Sequence, residues 1–368
     1  MGSHSSTAST AFTGFSALMA PEQRQRTRRI PVPMAREPLA AQLQLMAPAF
    51  TYQRPQSPES AGAALGIERS VPLGGGTDLL LTIRDGLVRA DHLVDVRHLP
   101  GAREIVPGTE GGLRIGAAVR IADLANSPLV RERFAALAQA ARAVATPALR
   151  NMGTIAGNLC QRPRCWYLRR GVACHKNGGA GCPAAEGENQ YHAVFGAGPC
   201  FAVHPADPAV ALVALEAIVH LTAPDGNERS VPMAVFYQDA ASDPVRETAL
   251  APGERIDAIE IPAHSAGGVQ RYVKLMQRGA WDFALVSLAA IKRADGEVRL
   301  VLGGVAPGPY RVNASVEEDV ASGILDDDSV DALAERALYD ARPLARNAYK
   351  VRLAATLLRD AMRVLSRA

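Results

Sequence analysis

All five cysteines of this 368-residue chain fall in one stretch, at 160, 165, 174, 182 and 200. Thiols gathered this tightly hold a metal ion or an iron–sulfur cluster, or they pair as disulfides. An odd number argues against a disulfide framework. So does the N-terminal tail, where no apolar segment follows the arginines to act as an export signal. Four thiolates satisfy either a tetrahedral zinc or a cubane, and the residues alone leave both open. The steps from Cys165 are nine, eight and eighteen residues, unlike the tight runs of ferredoxins. The Lys-Asn-Gly-Gly-Ala-Gly segment at 176–181 supplies the bends that let an irregular loop bring its thiols together.

Around this loop the chain reads as α+β. Ser70–Gly75, His92–Leu99 and Gly112–Val119 are short apolar strands, and Ile121–Ala145 carries apolar residues at helical spacing. Pro208–Pro224 reads as a helix feeding a strand. A Pro-, Asp- and Glu-containing stretch near 241–262 reads as a linker. Strands and a hairpin turn at Ala294–Val298 follow it, then a mostly helical end interrupted near Pro343. The expected division is a flexible or partner-docking arm at 1–49, a cofactor domain at 50–240 interrupted at 160–200, the linker, and a smaller α+β domain at 263–368. Apolar content of 48% is enough for both cores, with no run long enough to span a membrane. The formal charge is only +3. Five arginines against two glutamates in the tail account for it, which excludes a nucleic-acid surface.

Two segments carry binding chemistry. Leu73–Leu80, Leu-Gly-Gly-Gly-Thr-Asp-Leu-Leu, brings three glycines to a strand end. There Gly74, Gly75, Gly76, Thr77, Asp78 and Leu79 offer close backbone approach and consecutive N–H donors for a pyrophosphate. It is neither a Walker loop nor GxGxxG. Thr146–Leu159 repeats the idea with Gly153, Thr154, Gly157 and Asn158. Each alone reads equally as a glycine turn beside a helix. Two such loops are better explained by one extended ligand lying across both.

Together the loops resemble the flavin domain of the molybdenum hydroxylases, the xanthine dehydrogenase and aldehyde oxidoreductase group. The matches are Gly75-Gly76-Thr77-Asp78-Leu79 and Thr154-Ile155-Ala156-Gly157-Asn158-Leu159, with Ala156 in place of the commoner glycine. His204–Ala217, Ile259–Pro262, Tyr272–Ala290 and Leu302–Arg311 match further segments in order. The resemblance implies a PCMH-type, vanillyl-alcohol-oxidase-like FAD-binding fold, then a C-terminal domain of the CO dehydrogenase flavoprotein type. It implies FAD held by the two loops and by Asp207. Lys274 would stand at the isoalloxazine as the residue closest to the chemistry.

The usual flavin subunit of that family lacks the cysteine loop. With it, the chain is similar to a subgroup that includes the periplasmic-type aldehyde oxidoreductases, its closest match, and 4-hydroxybenzoyl-CoA reductase. There the insertion binds a [4Fe–4S] cluster. The resemblance assigns Cys165, Cys174, Cys182 and Cys200 as ligands. Cys160 is left out and reads as a small buried hydrophobe. His175, His192 and His204 read as packing histidines before substitute ligands. Arg278 and Asp282 either support Lys274 or pair with each other.

The implied role is electron transfer from a small [2Fe–2S] subunit to FAD, and on to a small-molecule or protein acceptor. Substrate oxidation would belong to a large molybdopterin-binding partner. The expected compartment is the cytoplasm, or the periplasm by export on a partner's signal. Two alternatives stand beside an aldehyde-oxidising complex. One is a related complex acting on N-heterocycles or aromatic thioesters; the other is a zinc-containing binding module with no redox role.

Overall fold

Among the described residues the strands form three sheets. The structure is a computed structural model that describes residues 49–196, 198–237 and 242–368, all within one unit. The expected N-terminal arm lies outside the described residues apart from its last position.

The first sheet is parallel, in the order β1-β3-β2, with β1 at Thr51–Gln53, β2 at Ser70–Leu73 and β3 at His92–Asp95. Helix Pro58–Leu65 crosses from β1 to β2. Its start is set by proline in the first turn and by a capping box between Ser57 and Ser60. The first glycine loop therefore leaves the carboxyl end of a parallel strand, where open α/β sheets gather their ligands.

The second sheet has the order β4-β5-β8-β6-β7. Its strands are β4 Ile105–Pro107, β5 Leu113–Gly116, β6 Ile218–Thr222, β7 Glu228–Pro232 and β8 Arg255–Ile261. β8 pairs with both β5 and β6 and is central. The expected linker at 241–262 is thus corrected over its second half. Ile256, Ile259 and Ile261 enter the core, the register shift against β6 bringing Ile256 round to them, and a buried strand outweighs the turn-like composition before it.

The third sheet is antiparallel, β12-β11-β10-β9, with β9 Val269–Leu275, β10 Val286–Lys292, β11 Val298–Gly303 and β12 Tyr310–Arg311. Both of its faces are buried. Tyr272, Ala289, Ile291 and Val301 point into the core of the cofactor half, with helices Ala135–Ala143 and Asp207–Ala214. Leu288, Ala290, Leu300 and Leu302 point into a second core under helices Ala314–Ala321, Asp327–Ala337 and Tyr349–Leu365. This sheet is a partition shared by two cores.

The long helix expected over 121–145 is three shorter ones, Ile121–Asn126, Pro128–Arg133 and Ala135–Ala143. Ser127 and Pro128 restart the chain as cap and first residue, because a proline cannot continue the helix before it. Among the described residues, no helix is long and apolar enough to cross a membrane.

Candidate cofactor sites

The two glycine loops touch. A side chain at Gly74 would meet the Thr154 hydroxyl at 2.5 Å, and one at Gly75 would run into the Met152 carbonyl and Gly153. Gly76 adopts a positive φ of 71°, which favours glycine. The second loop is fixed in turn by Ile121 N donating to the Gly153 carbonyl and Ile155 N donating to that of Val119 (2.9 and 2.8 Å). Thr154 caps the short helix Ile155–Leu159 through Gly157 N.

Two cavities open on either side of this junction, of about 750 and 420 Å³. Thr77, Asp78, Thr154, Gly157 and Gln161 line both. Gly74, Gly75, Gly76 and Leu79 face the larger, and Gly153, Asn158, Asp207 and Lys274 the smaller. Ala156 faces neither: it packs on the core, and its N–H bonds the Ala117 carbonyl. The remaining loop residues suit an anionic, extended ligand. The N–H groups of Gly75, Gly76 and Thr77 donate to no protein acceptor among the described residues. The buried Asn158 Oδ1 is likewise unpartnered, a state that favours a bound donor.

Asp207 and Lys274 form a buried ion pair at 2.8 Å. The Tyr272 hydroxyl donates to the other carboxylate oxygen (2.6 Å), and Lys274 also donates to the Ala143 carbonyl (3.1 Å). Burial pushes the Asp207 carboxyl up from its ordinary value, against the pull of Lys274 and Tyr272. The sequence placed each residue separately at a flavin; the fold makes them one unit on the cavity wall. Arg278 and Asp282 do not support Lys274. They pair with each other in the β9–β10 turn, where Arg278 N donates to Asp282 at 3.1 Å.

Cys165, Cys174, Cys182 and Cys200 line a single narrow cavity of about 10 Å³, with Tyr167, Leu168 and Ala202. All four lie outside helices and strands and none is in a disulfide. Burial raises the thiols of Cys165 and Cys200, with their neighbouring cysteines adding to it. Cys160 is elsewhere. It packs on the core and faces the larger glycine-loop cavity, and burial pushes its thiol up to about 12. Among the described residues, no group of three or more His, Cys, Asp or Glu is set to hold a single metal ion. His192 Nε2 lies 3.3 Å from Cys165 Sγ. His204 is buried against Tyr237, and burial holds its ring down at about 3.

Sequence reasoning missed the charged seam between these sites. Arg162 N and Arg169 donate to Asp78 and Arg164 pairs with it at 3.0 Å, while Arg162 and Lys176 share Glu247. Arginines crowded at 162, 164, 169 and 170 in an otherwise nearly neutral chain were the available signal.

The chain matches two family models: the FAD binding domain in molybdopterin dehydrogenase over residues 48–264, and the CO dehydrogenase flavoprotein C-terminal domain over residues 271–365. It is 42% identical to the aldehyde oxidoreductase FAD-binding subunit PaoB of Escherichia coli, across 83% of this chain and 95% of that one. It is 29% identical to the carbon monoxide dehydrogenase medium chain of Hydrogenophaga pseudoflava, across 73% and 78%. The solved carbon monoxide dehydrogenase from that organism, in a form lacking the Mo-pyranopterin moiety, superposes with a TM-score of 0.65 at 26% identity. That match covers 86% of this chain and 97% of the other.

Proposed function

The chain belongs to the FAD-binding flavoprotein subunits of the molybdenum hydroxylases, and from that premise we propose that it is the FAD and [4Fe–4S] subunit of an aldehyde-oxidising complex. Its partners would be a large molybdopterin-binding subunit and a small [2Fe–2S] subunit. The aldehyde assignment draws on the 42% identity to a subunit of that name. FAD on the glycine loops and a cluster on Cys165, Cys174, Cys182 and Cys200 would supply the electron transfer between the partner's molybdenum and an external acceptor, and this chain's residues would hold and orient them.

One observation carries the reading. The glycine loops with Asp207 and Lys274 line adjoining cavities, and the four insertion cysteines, without Cys160, line another beside them. In this reading the N–H groups of Gly75, Gly76 and Thr77 would hold the pyrophosphate, with Thr154, Gly157 and Asn158 of the second loop lining the space beside them. The Asp207–Lys274 pair fixes the polarity of the wall beside the redox-active ring. The cavity the thiols line is only about 10 Å³, so they would turn outward around a cluster core, which their positions outside helices and strands allow. A cluster also accounts for the clustering of thiols better than zinc does in a flavoprotein, where zinc would pass no electrons.

Flavin, iron and acid-labile sulfide analysis of the purified protein tests this. Wild type and Cys160→Ser should carry FAD and about four irons per chain, whereas Cys174→Ser should lose the iron. Zinc in place of iron, or iron lost from Cys160→Ser and kept by Cys174→Ser, would reassign the site.

A further inference from the structure

The carboxylate of Asp78 stands inside the first glycine loop, yet among the described residues every hydrogen bond given to it comes from the cysteine insertion. Arg162 N donates to Oδ2 at 2.8 Å, and Arg169 and Arg164 reach Oδ1 at 2.9 and 3.0 Å. Its side chain is 13% exposed. Although it stands at the start of helix Leu79–Arg84, it makes no capping bond there, so its acceptor capacity is spent on the insertion. Arg169 closes the arrangement by also bonding the carbonyls of Arg162 and Pro163, both at 2.9 Å. This fixes the turn that delivers Cys165.

A second tie runs parallel: Lys176, which lines both the cysteine cavity and the larger glycine-loop cavity, pairs with Glu247. Among the described residues, Arg162, Arg164, Arg169 and Lys176 pair with Asp78 and Glu247 across this seam, and Lys176 also feels the carboxylate of Asp243. The shared wall keeps an excess of positive charge between two sites whose ligands are both anionic.

We propose that Asp78 is a positioning residue that couples the two sites: it locks the cysteine insertion to the glycine loop, so that filling either site tightens the other. The inference rests on the iron–sulfur reading of the cysteines. A ligand on Gly74–Thr77 fixes the backbone that carries the carboxylate. The fixed carboxylate then orients the three arginines, and with them the approach to Cys165. Because coupling of two binding equilibria is reciprocal, the factor by which flavin tightens the cluster equals that by which the cluster tightens flavin.

The test is the flavin dissociation constant of the purified protein, in the complex in which it is isolated, before and after iron is stripped with a chelator. In wild type, stripping should weaken flavin by about tenfold. In Asp78→Asn, flavin affinity should be the same with and without iron. Arg169→Gln removes the partner from the insertion side and leaves the glycine loop untouched. It should abolish the coupling equally, and the double variant should lose nothing more. Asp331→Asn, a surface carboxylate paired with Arg359 in the C-terminal half, should keep the wild-type response. If Asp78→Asn does not fold, Arg169→Gln decides. Wild-type coupling retained in either variant, or additive losses in the double, overturns the proposal. So does flavin affinity in an iron-containing wild type that is indifferent to stripping. A wild type without iron overturns the iron–sulfur reading as well.

Discussion

Lys274 is 2.8 Å from Asp207, and that pairing changes what the lysine does for a flavin. A lone buried cation would favour the negative charge gained on reduction; here a carboxylate already offsets it. Lys274→Met leaves Asp207 buried with only the Tyr272 hydroxyl, and its carboxyl, already raised by burial, rises further. Where the pH is high enough to ionise it the wall turns negative and flavin potential should fall, and stability should drop by about 3 kcal/mol, as when a buried pair loses one member. Adding Asp207→Asn removes the stranded charge and should recover most of the potential. Spectroelectrochemical titration of both variants measures this. A double variant as low as the single would show that the pair does not set the field. Lysine and aspartate were each legible in the sequence; their union was not, because 67 residues separate them.

The cysteine insertion looks like a loop of the cofactor half but is held by the C-terminal half. Asn347 Nδ2 donates to the carbonyls of His192 and Ala193 at 3.1 Å each. Arg342 N reaches that of Val194, and Lys350 Nζ those of Tyr191 and Gly304. Val194 and Phe195 complete the second core. Lys350 makes these bonds fully buried, and burial pulls its ammonium down to about 7. Asn347→Ala strands two buried carbonyls, at a cost of about 2 kcal/mol. The loss should be local. Hydrogen exchange at 189–195 should speed up while β5, β6 and β8 keep their protection. Unchanged exchange at 189–195 would mean that the hydrophobic contact alone holds the insertion.

At the scale of the whole molecule, the first sheet carries an acid-sensitive anchor. Burial alone would raise the Asp95 carboxyl. Hydrogen bonds from Arg97 and Tyr52 outweigh it and hold the group far below the usual carboxylate range. A folded value below the unfolded one stabilises the protein above about pH 4, and that stabilisation is lost as pH falls toward the folded value. Asp95→Asn should lower Tm at pH 7 by removing about 3 kcal/mol, and the gap from wild type should narrow steadily below about pH 4. Thermal melts across pH check this, and a gap that stays constant would sink it. The sequence by itself determined the local elements and the chemistry-bearing types. The glycine turns, the strands beside them, the cysteine cluster and the family follow from residue pattern and short-range spacing. Only the tertiary structure decided that β8 is a core strand and that one sheet serves two cores. It alone turned Ala156 away from the cavity and joined Asp78 to three arginines of the insertion. These are contacts between distant segments, and their energies come from mutual burial and charge pairing that no local window of sequence contains.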